Sequence, residues 1–185
     1  MPLPVPEVAR AETHTRRVRY EGYKRADGLW DIDAHLTDVK NHDYELKTGV
    51  RRAGQAVHDM WLRVTIDTHF NIVDAIAVSD AVPYAGGCDA VTPAYRVLIG
   101  LNLLQGFQRQ VRERVGGIRG CTHLTEMLSG LPTAAIQTFA GEVGEERADG
   151  SRPFQLDQCY AMDTAGETVK TWYPKWYAAR EKTGA

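Results

Sequence analysis

Two stretches of strict alternation constrain this chain more than anything else in it. In LWDIDAHLTDVK, Trp30, Ile32, Ala34 and Leu36 share one face of an extended segment, while Asp31, Asp33 and His35 take the other. HDMWLRVTID repeats the pattern with Met60, Leu62, Val64 and Ile66. A period of two suits a strand with one apolar face, whereas helical winding would scatter the same residues around a cylinder. Each stretch has a partner in sequence. THTRRVRYEGYKR, rich in β-branched and aromatic residues, precedes the first across the tight turn Arg25-Ala26-Asp27-Gly28, and IVDAIAVSDA follows the second after a turn at Thr68 to Asn71. The expectation is an antiparallel sheet of two hairpins. With the second turn centred near residue 70, antiparallel pairing sets His58 beside residues 80 to 82, one short loop before Cys88. On the first hairpin, the polar face of Asp31, Asp33 and His35 reads as solvated, with Arg17 and Arg19 opposite as ion pairs.

The second half changes period. Thr92-Pro93 reads as an N-cap followed by proline at the first helical position, ahead of Ala94, Tyr95, Val97, Leu98 and Leu101. GFQRQVRERV suits a further helix that Gly116 and Gly117 stop. After Cys121, helical spacing links Leu124, Leu128, Leu131, Ala135 and Phe139, with Pro132 expected to kink or divide the run. Strands first and helices later indicate an α+β fold, the sheet packed against C-terminal helices. Residues 1–140 are expected to form this domain, 141–152 a charged, glycine-containing linker, and 153–185 a tail. The tail aromatics Phe154, Tyr160, Trp172, Tyr173, Trp176 and Tyr177 are too many to leave in water, so the tail is expected to pack on the body or on a second subunit as a homodimer.

Charge and composition exclude several classes. The formal charge of −2 and pI of about 6.3 provide no broad attraction for nucleic acid or an anionic membrane. No stretch approaches the roughly 20 apolar residues that span a bilayer, and MPLPVPEVAR has no apolar leader region, so a cytoplasmic protein is expected. Three widely spaced cysteines, Cys88, Cys121 and Cys159, do not make a disulfide framework and read as free thiols or metal ligands. There is no GxGxxG after a strand, no P-loop lysine and no GxSxG elbow, which sets nucleotide-dependent chemistry aside.

The chemistry concentrates at element ends. GGIRGCTHLTEML delivers Cys121 and His123 to the start of a helix, where unpaired N–H groups and the helix dipole favour a thiolate. His58 begins one strand, Cys88 follows its partner, and Cys121 opens the later helix, so hairpin pairing can bring the three together. One imidazole and two thiolates suit zinc or iron, with Asp59, His123 or Cys159 available for the fourth position. A second reading makes Cys121 a nucleophile with His123 or His58 as base. Tyr84 then supplies a phenol to the pocket of a small-molecule lyase or hydrolase lined by Tyr84, Tyr95, Trp61 and the tail aromatics. In a third, the thiols are buried packing in a structural or oligomerisation module.

The runs GYKRADGLWDIDAHLTDVK, HDMWLRVTID, PYAGGCDAVTPAYRVLIGL and GCTHLTEML resemble a bacterial family catalogued as a domain of unknown function, over most of the chain. More distantly, residues 56–139 are similar in layout to iron–sulfur cluster scaffold proteins of the IscU and SufU type. That resemblance implies a scaffold-like core with ligands at His58 or Asp59, Cys88 and Cys121. Val57-His58-Asp59 stands where the scaffolds have cysteine, glycine and aspartate, so one thiolate is missing, and mononuclear metal binding is the implied inheritance.

Overall fold

The computed structural model describes residues 3–141, 150 and 152–180, in two compact units, Met1–Thr138 and Phe139–Ala185. The expected charged linker lies outside the described residues except for Gly141, Gly150 and Arg152.

Unit 1 is built on a four-stranded antiparallel sheet. Its strands are β1 (His14–Lys24), β2 (Trp30–Lys40), β5 (Ala56–Ile66) and β6 (Ile72–Ala81), in the order β1-β2-β5-β6. Two sequence-local hairpins are therefore joined through their inner strands, with Ala34 opposite Leu62 and Leu36 opposite Met60. A short hairpin of β3 (Tyr44–Leu46) and β4 (Gly49–Arg51) fills the connection between them. Alternation then does what it predicts. Trp30, Ile32, Ala34, Leu36, Met60, Leu62, Val64 and Ile66 are all buried, each large side chain contributing about 1.5–3 kcal/mol.

The helical layer follows in chain order. A 3₁₀ segment at Asp89–Leu98 precedes α1 (Phe107–Val115), a 3₁₀ turn at Gly117–Arg119, α2 (Thr122–Met127), a 3₁₀ turn at Leu128–Gly130 and α3 (Leu131–Phe139). Leu98, Val111, Leu124, Leu128 and Leu131 are buried on this layer. The expected helix start at Thr92-Pro93 is corrected: the turn begins at Asp89, Pro93 sits inside it, and the Thr92 hydroxyl donates to the Asp89 carbonyl instead of capping. Leu128–Gly130 divides the later helix, so Pro132 falls in the first turn of α3, where proline costs little.

The outer face of the sheet carries paired charges, with partners other than those expected. Asp33 accepts two bonds from Arg63 at 2.6 Å each, Asp31 accepts from Thr65 and Arg25, and His35 bonds Asp59 at 2.6 Å while stacking on Trp61. Arg17 and Arg19 do not pair with them. β2 lies between two strands, so Arg63 of β5 reaches Asp33 and Arg25 of the β1–β2 turn reaches Asp31, while Arg19 pairs with Glu21 and lies over the Trp61 ring.

In the second unit, α4 (Glu167–Trp172) and two 3₁₀ turns surround a loop organised by Asp157, whose carboxylate accepts from the Thr164 N–H and hydroxyl. Leu156 and Val169 are buried, and Tyr160 and Trp172 stand exposed on the single chain. Among the described residues, no helix is long and apolar enough to cross a membrane.

Candidate metal centre

The inward face of the sheet changes character at one row. Arg16 of β1 sits opposite Asp38 of β2, which sits opposite His58 of β5. These positions are in phase with the buried apolar residues: Asp38 follows Trp30, Ile32, Ala34 and Leu36 at the same parity, and His58 precedes Met60. Asp38 is 3 % exposed, and its carboxylate is saturated. Oδ1 accepts from Arg16 Nε and His14 Nε2, and Oδ2 from Arg16 Nη2 and His58 Nδ1, at 2.8–2.9 Å. Arg16 also donates to Glu126 of α2, which ties the row to the helical layer.

α2 brings in a second imidazole. His123 Nε2 lies 3.9 Å from Asp38 Oδ2, and its ring stands 3.8 Å, centre to centre, from that of His58. The start of α2 is held by Tyr95, whose hydroxyl accepts from the Cys121 N–H and bonds the Cys121 carbonyl and Thr125. Gly120 permits that approach, because a Cβ there would stand 2.2 Å from the Val115 carbonyl oxygen. One ligand atom from each of Asp38, His58 and His123 lies within 4.8 Å of the others, an arrangement able to hold a metal ion.

The protonation states suit that role. Burial opposes ionisation of Asp38, but the hydrogen bonds from Arg16 and His14 outweigh it and hold the carboxyl well below the usual carboxylate range. An ionised Asp38 only accepts, so His58 donates through Nδ1–H and its Nε2 carries a lone pair. Burial pushes the His58 imidazolium down, more than Asp38 raises it, and lowers His123 as well, assisted there by the nearby charges of His58 and Arg16. Both rings are thus biased toward the neutral, metal-binding form.

Of the residues singled out from sequence, His58, Tyr84, Cys88, Cys121 and His123 line one cavity of about 450 Å³. Cys121 Sγ lies 3.9 Å from His123 Nδ1, but neither Cys121 nor Cys88 belongs to the tight Asp38, His58 and His123 cluster. Asp59 is elsewhere: neighbouring strand residues face opposite sides, so it turns outward to His35 while His58 turns in. Cys159 is exposed in the second unit, and the cluster forms without it. Of the aromatics expected around a pocket, Tyr95 is a buried clamp on α2 and Trp61 stacks on the outer face, leaving Tyr84 at the cavity. Sequence reasoning missed Asp38, Arg16 and His14. The signal was present for Asp38, as a carboxylate in phase with four apolar residues of its own strand.

A family model described as "Protein of unknown function (DUF2889)" matches residues 14–137, two-thirds of the chain, and this protein belongs to that family. The match spans both hairpins and the helices through α3, and so includes Asp38, His58 and His123. No curated protein matches the chain, and no solved structure does either. The likeness to IscU- and SufU-type scaffolds thus gains no support, and the fold stands as an α+β arrangement of an antiparallel sheet against C-terminal helices.

Proposed function

We propose that this protein binds a transition-metal ion, zinc or iron, through Asp38, His58 and His123, with the remaining coordination positions facing the cavity. The observation that carries the reading is the convergence of two neutral-biased imidazoles on one buried carboxylate. Two histidines and a carboxylate with open positions are the donor set of zinc and non-haem iron sites, and they differ from the all-oxygen sets of calcium and magnesium. Arg16 already balances the charge of Asp38, so the imidazoles supply most of the affinity and favour a nitrogen-seeking ion. Binding by all three residues exchanges the His58 to Asp38 hydrogen bond for a metal bond, with the His58 ring proton carried on Nε2, and proton competition for the two imidazoles makes affinity fall in acid.

Elemental analysis of tag-free protein grown with added zinc and iron tests this directly. The expected result is close to one ion per chain, lost in His58→Ala and His123→Ala. A stoichiometry near zero, together with no calorimetric uptake of Zn²⁺ or Co²⁺, would sink the reading. Cobalt loading also reports on the thiols: a sulfur-to-cobalt charge-transfer band that vanishes in Cys121→Ser would add that residue to the ligand set.

A further inference from the structure

The cavity beside the cluster has a composition that narrows what enters it. At about 450 Å³ it is in the range of about 300–1,000 Å³ that holds small molecules. Among the described residues, its lining includes no arginine, lysine, aspartate or glutamate. Met60, Pro83, Val91 and Ile118 supply apolar surface, and the polar atoms come from Tyr84, Thr122, two thiols and the two imidazoles. Arg16, beside the cluster, is already bonded to Asp38 and Glu126, and Arg119, between Ile118 and Gly120, donates to the Arg112 carbonyl. With no metal ion in the site, a charged guest would leave its solvation without finding a free counter-charge, a cost that an uncharged one does not meet.

The mouth points the same way. Ile118 is fully exposed, in the 3₁₀ turn just before Cys121, and Tyr84 is half exposed. Both line the cavity, so apolar surface in water continues inward to apolar surface under cover. We infer that this cavity binds a neutral, largely apolar small molecule, which enters past Ile118 and Tyr84 and turns its polar end toward His58 and His123. The inference deepens the metal reading and rests on it for the role of the two imidazoles.

The test uses two naphthalene dyes, the neutral ketone prodan and the anionic 1-anilinonaphthalene-8-sulfonate, titrated into the full chain after chelation and after zinc loading, with metal content measured on each sample. After chelation, prodan is expected to bind at least about tenfold more tightly than the sulfonate. Val91→Trp, which fills the cavity, should weaken prodan by about tenfold or more, and Ile118→Asp, a surface exchange that the fold tolerates, by a smaller factor. Equal binding of the two dyes, or a Val91→Trp protein that binds prodan like the parent, would overturn the inference. Prodan binding by a chain that takes up no metal leaves the cavity assignment standing while the metal reading fails. A zinc-loaded chain indifferent to prodan removes the cavity assignment alone.

Discussion

β2 and β5 carry two histidine–aspartate pairs, one on each face of the same ladder. His58 with Asp38 faces the helices, and His35 with Asp59 faces outward, with similar bond lengths of 2.9 and 2.6 Å. Their surroundings differ. The inner side chains are 13 % and 5 % exposed, against 20 % and 32 % for the outer pair. The inner carboxylate is shared with Arg16 and His14 and approached by a second imidazole from another element, whereas the outer histidine stacks on Trp61 of the neighbouring strand. A hydrogen-bonded pair thus becomes a candidate centre only where it is buried and a third group converges. The outer pair is a built-in control.

The comparison should break most sharply at the inner carboxylate. Asp38→Ala strands Arg16, His14 and His58 around a lost acceptor, and is expected to cost about 3–4 kcal/mol in urea unfolding. Loss of less than about 1 kcal/mol would show that water satisfies the row without it. Next in size is metal affinity: His58→Ala and His123→Ala should each weaken Zn²⁺ binding by about 100-fold or more, while His35→Ala leaves it unchanged, as read by competition with a chelating dye. An equal loss in His35→Ala would erase the distinction between the faces.

Acid should also report on the inner cluster. The native His58 and His123 resist protons that the unfolded chain takes up near pH 6.5, so stability is present above that pH and falls as pH drops through it toward the lowered native values. Asp38 acts in the same direction further down, its contribution being lost below about pH 4. Unfolding midpoints between pH 7.5 and 5 should therefore decline, and the double variant His58→Gln, His123→Gln should flatten the slope; an unchanged slope would assign the acid sensitivity elsewhere. The smallest effect belongs to Asp59→Asn, expected to cost about 0–1 kcal/mol because its partner is part-exposed and stays stacked on Trp61.

Alternation along the chain determined the sheet, its hairpins and its apolar face, because a strand's side-chain period is local and needs no knowledge of its neighbours. It also placed His58 beside the end of β6, and the matching parity of Asp38 was legible there as a polar residue in an apolar phase. Tertiary structure alone decided that β2 and β5 become neighbours. That choice set Asp38 against His58, gave Asp33 to Arg63 instead of an arginine of β1, and turned Asp59 away from the centre. It likewise carried His123, 65 residues beyond His58, over the end of the sheet through the clamp of Tyr95 on α2. Pairing between strands from different hairpins and the docking of a helix depend on burying surface that is distant along the chain, and local periodicity contains no record of which distant surfaces will meet.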